Sequence, residues 1–311
     1  MILRAAIILE VIIFLGLSVE CIAQKVIIPE PDSEIRVYPL YALNSPFTES
    51  SLAITPDGEY LFFSTNRGGQ IWNEPYQTPE GDSLYDKDIW VSENVCGKWQ
   101  KPYSLPHGIN TALSEDEPFI SADGKILYFQ SWNYLWEQTG GPYYQTKLIP
   151  PENPSLRGMG KKLTRVLEIF SGTGSFALSP EKKLILLVAG KPEEHQMDIF
   201  FIRKNGKSWK YPEKSALSTP QNERSAFLMA DGQTVYFASA GYEGFGGLDI
   251  YKTTLDDYGN PGVIFNLGPE INGPEDEYSF VIAPGGEEGY FIREGNIYCA
   301  DLSKTENILK P

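Results

Sequence analysis

A ring of five four-stranded antiparallel sheets, an all-β propeller, is what this sequence predicts, on three observations. A strand–turn–strand motif recurs five times at blade-like intervals. Aromatic residues make up 13% of the chain, alongside 29 Gly and 23 Pro, a balance that favours strands joined by many turns. A strand-like segment near the start matches the strand that the last repeat lacks.

The first element is a targeting segment. Arg4 precedes an apolar run from Ala5 to Val19 broken only by Glu10, and Cys21 and Ala23 place small residues at the −3 and −1 positions of a cleavage site before Gln24. This predicts a signal peptide over 1–23 and a single propeller domain over 24–311. The run is shorter than the roughly 20 residues of a membrane span, so no span is expected in the mature chain. Lipidation of Cys21 is the rival expectation, opposed by Glu20 where a small residue normally precedes the cysteine. Either route takes the chain out of the cytoplasm, to the periplasm or the cell surface. Export permits a disulfide, but Cys96 and Cys299 fall at non-equivalent places in the repeat, which predicts two separate thiols.

Next comes the orphan strand. "EIRVYPLYALNSP" (34–46) resembles "KWQKPYSLPHGIN", the outer strand of the first repeat. Residues 34–48 are therefore expected to close the ring as the outer strand of the last blade, leaving no open edge.

The repeats follow at about 49–114, 115–171, 172–221, 222–275 and 276–303. "ITPDGEYLFFS" returns as "ISADGKILYFQ" and "LMADGQTVYFA", and more weakly as "LSPEKKLILLV" and "IAPGGEEGYFI". Glycine supplies the positive φ that closes a tight hairpin, and aspartate bonds its own backbone there. The residues before the turns (Thr55, Ser121, Ser179, Met229, Ala283) are spaced by 66, 58, 50 and 54. Third strands are predicted at "DIWVS", "DIFFI", "DIYKT" and "NIYCA", with "GPYYQTKL" as the equivalent in unit two. Second strands such as Leu61-Phe62-Phe63 are apolar continuously, as expected of strands covered on both faces.

These units resemble the WD-type repeats of TolB-like β-propeller proteins of the exported bacterial kind, with a pattern near E-x-x-P-x-x-S-x-D-G-K-x-L-Y-F-x-S…D-I-Y. The likeness spans nearly the whole mature chain and is weakest in unit three, where Glu181 and Lys182 replace Asp-Gly. It implies a propeller and a role in binding other envelope components, and no single chemistry.

Propeller topology sorts the loops by face. The Asp-Gly hairpins share one face, and the loops between second and third strands share the other with the blade-to-blade links. Insertions fall on that second face and gather Trp72, Tyr76, Tyr85, Trp132, Tyr134, Trp136, Tyr143, Tyr144, Tyr242 and Phe245. Such rings can stack on sugars or grip peptide side chains, or pack down as satellite cores. The same face receives Glu49, Glu115, Glu223 and Glu277, six residues before each anchor, with Thr173 in unit three. They are expected to ring the channel mouth, with Asp116, Glu117 and Asp276 beside them. There they would invite a cationic group or, alternatively, accept backbone N–H bonds and tie the blades together. Glu117 is the one carboxylate that stands apart from the repeat.

A formal net charge of −15 argues against nucleic acid and anionic lipid. His107 and His195 lie in different units with no metal-ligand spacing. Asp82, Asp86 and Asp88 lack the full EF-hand pattern, so no metal or cofactor is expected. "SGTGS" (171–175) has Thr173 where a nucleophile would stand, and "NRGG" (66–69) lacks the Lys-Ser/Thr of a phosphate loop. The expected function is an exported, monomeric, non-enzymatic binding module presenting an acidic, aromatic-rich face to an envelope protein or neutral glycan. A glycoside hydrolase using channel-mouth carboxylates, or a purely structural propeller, are the alternatives.

Overall fold

The computed structural model describes residues 25–68, 76–77, 83–132, 141–148, 160–170, 172–191 and 196–304. The predicted signal peptide, Cys21 included, lies outside them. Five antiparallel sheets form a five-bladed propeller. The inner strands are Glu49–Ile54, Ser114–Ile120, Gly172–Leu178, Glu223–Leu228 and Glu277–Ile282. Each pairs through a hairpin with a second strand, and that with a third. Gly58, Gly124 and Gly232 close their hairpins at φ of 74°, 69° and 74°. In blade 3 Lys182 takes the same left-handed conformation at 56°, so the turn survives the loss of its glycine.

In blade 2, Tyr143–Lys147 is the third strand, as the sequence predicts. The outer strand of blade 1 is shorter than expected. Lys98–Trp99 pairs as a hairpin extension with Asn94–Val95 at the end of the third strand, and Tyr103–Ser104 pairs with Trp90–Val91 in its middle.

Closure follows the sequence. Arg36–Pro39 pairs antiparallel with Asn296–Asp301 and becomes the outer strand of blade 5. Upstream, Val26–Ile27 adds a parallel strand to the edge of blade 4. The N-terminal stretch thus straps two adjacent blades. Apolar side chains fill the spaces between sheets in four clusters, and Leu61, Phe62, Phe63, Phe129 and Val235 of the second strands are fully buried. Cys96 is exposed and Cys299 buried, and neither is bonded to the other. No helix among the described residues is long and apolar enough to cross a membrane.

Candidate functional site at the mouth of the central channel

The four repeat glutamates have 0% exposure and are held within their own blades. Glu115 accepts from the Thr111 N–H at 2.8 Å, the Thr111 hydroxyl at 2.7 Å and the Ser131 hydroxyl at 2.9 Å. Glu223 repeats this with Thr219 and Ser239. Glu49 binds Ser45, Thr65 and the Arg67 guanidinium, the latter at 2.7 Å. Glu277 binds the Gly273 N–H and Arg293. The donors come from the link entering the blade and from the end of its second strand, so each carboxyl fastens an arriving link to its own sheet. Arg67, the one charge in the glycine-rich loop, also lies over Phe63 and Trp90.

One residue before that donor, a second device fastens the link to the blade it has just left. Asn44 clips both backbone groups of Ile297, Asn110 those of Ile89, Ser218 those of Ile199, and Asn272 those of Ile250. The sequence carries this signal as Asn-Ser, Asn-Thr, Ser-Thr and Asn-Gly, each ending four residues before its glutamate.

With the repeat glutamates sealed away, the channel is lined one step further along each inner strand. Ser51, Glu117, Ser175, Ser225 and Ser279 occupy equivalent positions, four residues before the anchors. Ser51, Glu117 and Ser279 have φ of 52°, 53° and 56°, at β-bulges where the ladder skips. Bulges at a channel re-aim side chains, and left-handed non-glycine residues persist only where their surroundings hold them. Here a circuit of hydrogen bonds does so, crossing every blade boundary. The Leu52 N–H donates to Ser279 Oγ at 2.7 Å, the Ser279 N–H to Ser225 Oγ at 2.7 Å, and the Ala226 N–H to Ser175 Oγ at 2.8 Å. The Thr173 hydroxyl donates to Glu117 Oε1 at 2.8 Å, and the Ser51 hydroxyl bonds Asp116.

At this girdle the channel narrows to a cavity of about 40 Å³. Towards the insertion face it opens into a polar cup of about 480 Å³, lined by Lys87, Asp116, Glu117, Thr173, Arg224 and Tyr278 among others. On the hairpin face it opens into an apolar throat of about 160 Å³ edged by Pro56, Pro180 and Pro284.

Charges in the cup are arranged unevenly. Lys87 Nζ is 2.7 Å from Asp116 and 3.1 Å from the Ser50 hydroxyl. Burial opposes ionisation of Asp116, but the Lys87 ammonium outweighs it and holds the carboxyl below its ordinary range. Glu117 next door goes the other way: burial first, then the Asp116 charge, push it up to about 8 despite hydroxyl donors from Tyr143 and Thr173. Across the cup the Arg224 guanidinium lies 3.8 Å from the Tyr278 ring centroid.

The rim aromatics divide. Tyr143, read from the sequence as a rim residue, is fully buried, its hydroxyl on Glu117. Tyr144 stacks on Phe129, Tyr85 meets Phe47 edge-on, and Tyr242 packs between Phe237 and Tyr251 with its hydroxyl on the Leu217 carbonyl. Phe245 remains 40% exposed. Trp72, Tyr134 and Trp136 lie outside the described residues, as do the side chains of Tyr76 and Trp132.

Solved structures of similar fold include TolB from Acinetobacter baumannii (15% identity, 84% of this chain and 56% of that one, TM-score 0.43). A second is a putative TolB from Agrobacterium tumefaciens (13%, 88% and 79%, TM-score 0.47). A third is the periplasmic gluconolactonase PpgL from Pseudomonas aeruginosa (13%, 78% and 77%, TM-score 0.40). The chain is a five-bladed β-propeller with TolB-like propellers among its structural neighbours. The likeness is one of fold, and the chain spans little more than half of the Acinetobacter protein, 56% of its length. No family model and no curated protein matches the sequence.

The raised carboxyls give a pH dependence of definite sign. Burial lifts Glu115 to about 8 and Glu223 to about 7, with Glu117 at about 8. The folded state therefore holds protons that the unfolded chain has released, and stability falls as pH rises from about 4.5 to about 8, by about 1.4 kcal/mol per pH unit for each fully shifted group. Asp116, shifted downward, contributes stability that is lost only below that window. The urea midpoint is expected to be higher at about pH 5 than at about pH 8, and Glu117→Gln is expected to flatten the profile. An unchanged slope in that variant would remove Glu117 from the account.

Proposed function

We propose that the protein is an exported, non-enzymatic binding propeller that receives an envelope partner, a protein or a neutral glycan, at the cup on its insertion face. The observation that carries this reading is the commitment of Asp116 and Glu117, the adjacent carboxyls of the cup, to partners inside the fold. The repeat glutamates are sealed beneath the surface. Asp116 is neutralised by Lys87, and Glu117 is held between Tyr143 and Thr173. A glycosidase needs two carboxyls facing each other across a bond, about 5–10 Å apart, whereas Asp116 and Glu117 are consecutive on one inner strand. Their opposite shifts favour the hydrolase as a second reading, since an acid beside a carboxylate is how such pairs begin.

The test is a hydrolysis screen of neutral polysaccharides and aldonolactones, run beside a glycan and peptide binding array. No turnover above blank is expected from the purified protein, with binding retained in Glu117→Gln. Turnover that disappears in Glu117→Gln would establish the enzyme instead.

A further inference from the structure

We infer that the cup captures the C-terminal carboxylate of a partner polypeptide and that Arg224 reads it. The inference rests on the reading of the cup as the binding site and names the chemistry that enters it.

Three observations support it. First, the cup is constricted at its base. The girdle of Ser51, Glu117, Ser175, Ser225 and Ser279 reduces the channel from about 480 Å³ to about 40 Å³, and hydrogen bonds close it at every blade boundary. A cup that narrows in this way suits the end of a chain, which can enter without having to pass through. Second, the two cations of the cup are in different states. Lys87 is spent on Asp116 at 2.7 Å, whereas Arg224 has no carboxylate partner among the described residues. Its guanidinium is exposed at the cup and steadied on the face of Tyr278, so its donors are oriented without being occupied. A planar guanidinium takes a carboxylate bidentately, and fixing it on an aromatic face lowers the entropy lost on binding. Third, acceptors lie close by. Asp276 lines the same cup, exposed, with one oxygen on the Leu248 N–H, and it is not ion-paired with Arg224. Amide N–H groups arriving behind a terminal carboxylate meet this side chain. A deep apolar pocket is absent among the cup-lining residues, where Met197, Leu248 and Ala240 are the only aliphatic side chains, so the terminus is read by its backbone and charge.

Recognition is local. The net charge of −15 repels anions at long range, which slows encounter with acidic partners and leaves a single carboxylate on an otherwise basic or neutral tail as the suitable ligand.

The experiment offers the purified protein an equimolar library of N-acetylated hexapeptides with free C-termini, the same library C-amidated, and trigalacturonate as a non-peptide carboxylate. The free-acid library is expected to be enriched about ten-fold over the amide library, with Arg224→Ala abolishing the preference and Arg224→Lys keeping part of it. Arg224 is exposed, so unchanged melting of the variants checks that they fold. Equal enrichment of both libraries, no enrichment of either, or binding of trigalacturonate alone overturns the inference. Arg224→Trp, which fills the cup, separates the two levels. If it abolishes a binding event that Arg224→Ala leaves intact, the cup remains the site and the carboxylate assignment falls. If it changes nothing, both fall.

Discussion

Removal of residues 1–48 is expected to abolish the cooperative unfolding transition of the propeller. The deletion takes away the outer strand of blade 5, the parallel strand on blade 4, the buried side chains Ile35 and Leu43, and the Asn44 clip. Blade 5 is then left with the open edge of Asn296–Asp301, and an unpaired edge strand invites association with other chains. Aggregation on refolding, followed by light scattering, is the expected result. Asn44→Ala tests the clip alone. It leaves the buried Ile297 N–H without an acceptor, while the Leu40 N–H still reaches the Ile297 carbonyl, at a cost of about 1–3 kcal/mol for such a loss. Asn110→Ala and Asn272→Ala remove the same chemistry within the ring and serve as matched controls. A truncated chain that unfolds cooperatively, with an unchanged urea midpoint, would show that closure contributes nothing.

The second large effect is expected at Glu277. Its side chain is fully buried, and it neutralises Arg293, whose guanidinium lies 5.4 Å and 5.2 Å from the rings of Phe291 and Tyr298 and also donates to the Ile271 carbonyl. Glu277→Ala strands that charge among aromatic rings and leaves the Gly273 N–H without its acceptor, which costs about 3–5 kcal/mol. Glu277→Gln keeps an acceptor and is expected to cost less. Replacing both partners, Glu277→Leu with Arg293→Met, removes the burden of a lone charge and is expected to recover most of the loss. Chemical denaturation of the set checks the order. If Glu277→Ala costs under about 1 kcal/mol, solvent is reaching Arg293 and the burial argument fails.

The ring and its closure were legible because they rest on local chemistry. A Pro/Ala-Asp-Gly turn dictates a hairpin wherever it stands, and five of them at blade spacing leave one architecture. The closing strand was visible as a match to a strand missing elsewhere. The site was less legible. The repeat glutamates were placed correctly along the chain, but whether they face the cup or the fold depends on Ser45, Thr111, Thr219 and Gly273, which arrive from the preceding blade. The Asn and Ser clips carry a periodic signal in the links, but their partners, Ile297, Ile89, Ile199 and Ile250, lie on strands that only the fold brings alongside. The girdle had no such signal. Nothing about Ser51 or Ser279 as residue types announces a left-handed backbone, because the bulge that imposes it belongs to the pairing of strands. Tyr143 sits on a strand whose neighbours Tyr144 and Gln145 are half-buried, and only the third dimension separates them.

The strap formed by the N-terminal stretch sets an order of events in time. The earliest of the described residues to be made find their partners, Ile264–Asn266 and Asn296–Asp301, only when nearly the whole ring has followed. Contacts so distant along the chain make assembly slow. A chain made head first therefore keeps its ring open until its tail has followed.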